Sequence, residues 1–322
     1  MSAAESSAEP IPPGRKGWWG WNVRFATWIR IFALLPVILS AAEFARQYYA
    51  AQQQAAEIAR MKEVAESDRI LAQMIHAMEA ERGRSVLYPA GSSAGAGQEQ
   101  LREARRAVDQ RIAAAHAWAQ KAGRRCCIAE AAVAGIEAEV TGLRKGVDAG
   151  ADPLAVVADY GGVIHRIFDF QTRLNKYYTN FERQRGGGVE ATILWIRALL
   201  DLKEVIGQQR ALVGLGLTRR AAGGDIMEWG IDLVQLMARE QEVANVFRSS
   251  APPDILARLT DQKSTVEERQ MQRIGRRLVE AMNGGKRVEV YDPESWFDLA
   301  SHHMDRIARL IDGLYDSLQS CR

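Results

Sequence analysis

The 322-residue chain carries 42 Lys and Arg against 40 Asp and Glu, so its balance argues against a nucleic-acid polyanion as partner and any basic site must be local. At 47% hydrophobic and 25% charged it has the composition of a folded protein, long enough for one large domain or two small ones. Its three cysteines, the adjacent Cys126 and Cys127 and the distant Cys321, make neither a disulfide framework nor a zinc spacing. They are read as unpaired thiols, a bridge to Cys321 being the alternative in an oxidising compartment.

Residues 1–14, rich in Ala, Ser, Pro and Glu, read as disordered, and residues 1–24 together as a cytoplasmic tail. From Phe25 to Ala42 the only charge is Arg30. A helix of that length spans about 27 Å, just short of a hydrocarbon core. Arg30 can snorkel, and Trp18, Trp19, Trp21 and Trp28 suit an interface, so residues 25–45 are expected to form a transmembrane anchor. Arg15, Lys16, Arg24 and Arg30 precede the apolar run and Glu43 follows it, which puts the N-terminus in the cytoplasm. The expectation is a single-pass protein of the cytoplasmic (inner) membrane with residues 46–322 outside. A cleaved signal peptide is the alternative, since Ser40 and Ala42 fit the small-residue cleavage pattern.

Neither Gly nor Pro occurs from Val37 to Arg82, and the middle is rich in Ala, Gln, Glu and Arg, which predicts one long helix. A Gly, Ala and Ser loop (88–100) follows, then helices over about 97–121 and 127–145. Asp152 and Pro153 open another helix running to about 181. Further helices are predicted over 189–221, from Asp225 to about 248, and from "SSAPPD" to about 282. After a short extended piece, Asp292 and Pro293 open the last helix. Strand-like alternation is otherwise absent, so the fold class is all-α.

Two helices carry the same defect. Leu71, Ile75, Met78 and Arg82 recur at helical spacing, as do Leu199, Leu202, Ile206, Arg210, Val213 and Leu217, so an arginine stands in each apolar stripe. Aligning the two arginines also lays "DQRIAAAHAW" on "EQEVANVF", a hint of two related bundles. A buried arginine needs a partner. Arg82 has Glu79 three residues back, whereas Arg210 has no acid among its helical neighbours. Gly207, Gly214 and Gly216 would let a backbone or small molecule approach. A guanidinium fork matches a small planar oxyanion, and two forks could close on one.

These stretches carry a resemblance. "LAQMIHAMEAERGRSVLYPAG" and "LLDLKEVIGQQRALVGLGL" closely resemble the two signatures of the nitrate- and nitrite-sensing (NIT) domain family, and "DPESWFDLASHHMDRI" resembles its closing helix. The resemblance covers about residues 65–315. It implies two packed four-helix bundles that bind nitrate or nitrite between them, with Arg82 and Arg210 as ligands and Arg84 and Lys203 in the basic shell. The chain departs from the family pattern at Gln209, where Glu is usual, and at Arg84 and Val86. The family usually couples this domain to an output region; here the chain stops at Arg322 directly after its last helix, so either a separate output protein receives the signal, through the cytoplasmic tail or a homodimer, or the protein is a scavenging or remnant module.

No cofactor or metal is expected, nor a nucleic-acid partner. Adjacent His302 and His303 cannot share a metal as an i, i+4 pair would, and His76 and His165 read as structural. No acid, base and nucleophile set can be placed, which argues against an enzyme. The alternative to a sensor is a membrane-tethered scaffold without a ligand, in which Arg82 and Arg210 would each meet an internal carboxylate such as Glu79 or Glu204.

Overall fold

A computed structural model describes residues 18–87, 95–122, 127–179, 188–221, 230–260, 262–282 and 291–320. The expectations for the tail with Arg15 and Lys16, most of the 88–100 loop, Cys126, "RQRGGG", Gly223, Gly224 and Asp225, the extended piece before Tyr291, and Cys321 lie outside these residues.

The chain divides into two units, residues 1–59 and 60–322. In the first, α1 (Trp18–Leu87) begins; its segment Thr27–Ala56 is exposed and is long and apolar enough to cross a membrane. Pro36 lies inside this helix.

The second unit is all-α among the described residues. Besides the later part of α1 it holds α2 (Gly95–Ala122), α3 (Cys127–Asp148), α4 (Pro153–Thr179), α5 (Gly188–Ala221), α6 (Gly230–Ser250), α7 (Pro253–Leu259), α8 (Gln262–Met282) and α9 (Pro293–Ser320). The single helix predicted from "SSAPPD" to 282 is therefore two, because the first turns end at Thr260, which leaves helical geometry with φ −103° and ψ 29°.

Local chemistry explains the other boundaries. At the end of α3, Ala151 N–H donates to Gly146 O and Gly150 N–H to Val147 O, both at 3.0 Å, the paired closure that needs a left-handed residue; Gly150 supplies it at φ 81°. Asp152 then caps α4 by accepting from Ala155 N–H (3.1 Å), and Asp292 caps α9 by accepting from Ser295 N–H (2.8 Å).

Two four-helix groups result. In the first, α1 from residue 60 joins α2, α3 and α4, with Trp118 of α2 edge-on to Phe170 of α4 at 6.5 Å. In the second, α5 packs most extensively against α9 and α6, with α8 closing the group and α7 lying on α9. The stripes identified in the sequence face inward: Leu71, Ile75, Met78 and Arg82 are all 0% exposed, and Leu199, Ile206, Val213 and Leu217 are at most 2%. The two arginine-bearing helices meet where the groups join. Arg82 opposes Gly207 and Leu87 opposes Gly214, so α1 and α5 run in the same direction here.

Candidate functional site

Four charged residues of α1 and α5 pair between the two helices, in the same order along both. Arg82 donates from Nη1 to Glu204 Oε1 (2.7 Å) and from Nη2 to Glu204 Oε2 (3.2 Å), a two-pronged contact in which arginine and carboxylate are both buried. Lys203 Nζ donates to Glu79 Oε2 at 2.5 Å. The local pairing of Arg82 with Glu79 expected from the sequence is thus not formed. This arrangement gives two buried cations and two buried carboxylates each an opposite charge, where a pairing within α1 would leave Lys203 and Glu204 without α1 partners.

Arg210 is held differently. Its Nη2 donates to the main-chain carbonyl of Glu79 (2.6 Å) and its Nη1 to Ser301 Oγ (2.8 Å), while Nε has no hydrogen-bond partner. Among the described residues no carboxylate pairs with it. Burial pushes its pKa down to about 10; the Glu79 charge opposes this, and the charges of Arg82 and Arg84 reinforce it. Two buried guanidinium groups thus lie within reach of each other's charge, and only Arg82 has a bidentate carboxylate. The Nε of Arg82 is also unpartnered.

The surroundings are built for close approach. A Cβ on Gly207 would lie 2.7 Å from Arg82 Nη2, and one on Gly83 would lie 2.5 Å from Phe297 Cε2. The space that Gly207 and Gly214 leave is filled by Arg82 and Leu87 side chains. Phe297 lies under two cations, Arg84 at 3.9 Å and Arg210 at 4.5 Å from its ring centre. Trp296 Nε1 donates to the Arg210 carbonyl (2.9 Å), fixing α9 on α5.

Of the residues named from the sequence, Arg82, Arg210 and Lys203 come together. Arg84 shares the Phe297 ring with Arg210 and donates to Glu294 at 2.7 Å. Spacing along the chain missed Ser301, Phe297 and His76, because each reaches the site from another turn or element. His76 is only partly buried, lies 3.4 Å from Asp305 and 3.8 Å from Glu79, and is 3.5 Å from Lys203 Nζ. Burial alone would lower its pKa, but Asp305 and Glu79 outweigh burial and Lys203, and the net direction is upward. For Glu79, burial raises the carboxyl and the charges of Lys203 and His76 overcome it, holding it down at about 2. His303 is buried with Nδ1 unpartnered, while His302 is exposed. The described residues hold no His, Cys, Asp and Glu cluster able to take a metal ion.

Comparison with known proteins places the chain in a family and a fold. Residues 73–319 match the family described as nitrate and nitrite sensing. The solved structure titled "Structure of the NasR transcription antiterminator" superposes with a TM-score of 0.66 at 20% identity, covering 86% of this chain and 72% of that one, a likeness of fold. No curated protein matches the chain.

Proposed function

Because this chain belongs to the nitrate- and nitrite-sensing family, we propose that it is a membrane-anchored sensor module that binds nitrate or nitrite through Arg82 and Arg210. The observation that carries this reading is Arg210: a guanidinium 3% exposed, beside a second buried arginine, held by a hydroxyl and a carbonyl and by no carboxylate among the described residues. A buried cation so compensated gains from a small anion. Planar oxyanions suit it, since two N–H groups of the fork meet two coplanar oxygens. Lys203 and Arg84 supply the positive surroundings, Lys203 through Glu79 and Arg84 through Phe297. The role is recognition, not turnover.

Binding would neutralise charge where the two helical groups meet and favour their closer packing, which is the change to be transmitted. Residues 25–45 anchor the protein in the cytoplasmic membrane with the sensing region outside. The apolar, exposed Thr27–Ala56 helix supports the anchor, and the basic residues before it support the orientation. A homodimer and a separate output protein complete the pathway.

The test is calorimetric titration of nitrate, nitrite and chloride into the full chain and into Arg210→Ala. Saturable nitrate or nitrite binding that is lost in the variant is the expected result; a wild type that binds none of them refutes the reading. The second reading, a helical scaffold without a ligand, draws on the Arg82–Glu204 pair, which satisfies Arg82 internally. It gains if Arg210→Ala changes stability alone.

A further inference from the structure

Glu204 holds the Arg82 fork that the proposed oxyanion would need. Its carboxylate presents two coplanar oxygens to the Arg82 fork at 2.7 and 3.2 Å, the same figure of acceptors that nitrate or nitrite would offer. Oε1 is shared: Gln208, one turn further along α5, donates its Nε2 to it at 2.7 Å. Gln208 in turn lines a cleft of about 480 Å³ between α4, α5 and α6, whose wall also includes Gly161, His165 and Arg239. A Cβ on Gly161 would stand 3.8 Å from Gln208 Nε2, an ordinary contact, so the amide packs beside α4 on the wall of this cleft.

An added anion cannot share the Arg82 fork with Glu204. It would set a second negative charge beside a buried carboxylate, where like charges repel most strongly. We propose that Glu204 is a resident competitor, a built-in anion that nitrate or nitrite must displace from Arg82, and that the released carboxylate turns with Gln208 toward the α4, α5 and α6 cleft. On that wall the charges of Arg239 and His165, which also act on Asp201, would offset the released carboxylate against Asp232. The proposal rests on the reading of Arg82 and Arg210 as the oxyanion site. Its consequence is selectivity. Only an anion that can engage the fork with two oxygens exchanges on equal terms with a carboxylate, so spherical chloride is excluded by a residue that never contacts it in the bound state.

The test compares the full chain with Glu204→Gln and Gln208→Leu by calorimetric titration of sodium nitrate and sodium chloride, with thermal melts in each salt. Glu204→Gln is expected to bind nitrate at least about tenfold more tightly and to favour nitrate over chloride by a smaller ratio, because the competing charge is gone. Without nitrate this variant melts lower than wild type, and nitrate raises its melting temperature by more. Gln208→Leu keeps the Arg82 pair but loosens the tether, and is expected to bind nitrate about two- to fivefold more tightly even if Glu204→Gln does not fold. Nitrate binding that is unchanged or weaker in both variants, while Arg210→Ala abolishes it, overturns the competitor role and leaves the oxyanion site standing. Absence of nitrate binding in wild type and both variants overturns the site and the competitor together.

Discussion

Replacing Gly207 with Ala adds a single carbon against a fully buried guanidinium bonded twice to Glu204. That Cβ would lie 2.7 Å from Arg82 Nη2, 3.1 Å from Met304 Cε and 3.6 Å from Glu79 Cγ. To regain ordinary contact the guanidinium must withdraw by about 0.7 Å, and it is pinned by two bonds to Glu204. Alanine gains about 1 kcal/mol over glycine in a helix. Against this stand about 1–3 kcal/mol for overpacking and part of the about 3–5 kcal/mol lost when a buried ion pair is broken. The net is about 1–3 kcal/mol of destabilisation, a fall in Tm of about 2–8 °C for a domain of this size. Gly135, inside α3 with nothing within 4 Å of the position a Cβ would take, is the internal control: Gly135→Ala should gain about 0.5–1 kcal/mol. Thermal melts of both variants, with and without nitrate, read the difference. Equal stabilisation by both substitutions, with the nitrate response of Gly207→Ala intact, would refute the view that Arg82 is locked against α5.

Asp68 is buried and its carboxyl is pushed up to about 7 by desolvation, against the pull of Asn175 and Arg197. Its folded pKa exceeds the unfolded value near 3.8, so the native state holds the extra proton and stability falls as pH rises from about 4 to about 7. Asp68→Asn should remove that slope and stabilise the protein above pH 7, by at most about 4 kcal/mol, as urea unfolding at pH 5 and pH 8 would show. Glu81, fully buried, accepts from Arg144 (2.7 and 2.8 Å) and from Tyr160 Oη (2.7 Å); Glu81→Gln should cost about 2–4 kcal/mol and Tyr160→Phe about 1 kcal/mol in denaturant midpoints at constant m. Phe297→Leu removes the ring under Arg84 and Arg210, and should weaken nitrate binding by about threefold to tenfold, read by titration.

Much of this was legible because it is local. The caps at Asp152 and Asp292 and the inward turn of both arginine stripes depend on residues within one or two turns of each other, which spacing along the chain reports directly. The partners of the arginines are not of this kind. Glu204 meets Arg82 across 122 residues and Ser301 meets Arg210 across 91, and the identity of a countercharge is decided by which helices pack. That is why Glu79 read as the partner of Arg82 and proved to be that of Lys203. The break near Thr260 was missed for a related reason: no Gly or Pro marks it, and Thr260 instead returns its hydroxyl and its N–H to the Leu256 carbonyl.

The two interhelical pairs also act as a key between helices lying side by side. Along α1 the order is negative then positive (Glu79, Arg82), and along α5 it is positive then negative (Lys203, Glu204). Sliding one helix past the other by a turn, about 5.4 Å, would strand all four charges away from water. With several kcal/mol at stake for each, axial slip is a costly motion at this interface. The two pairs therefore hold α1 and α5 in a single axial register.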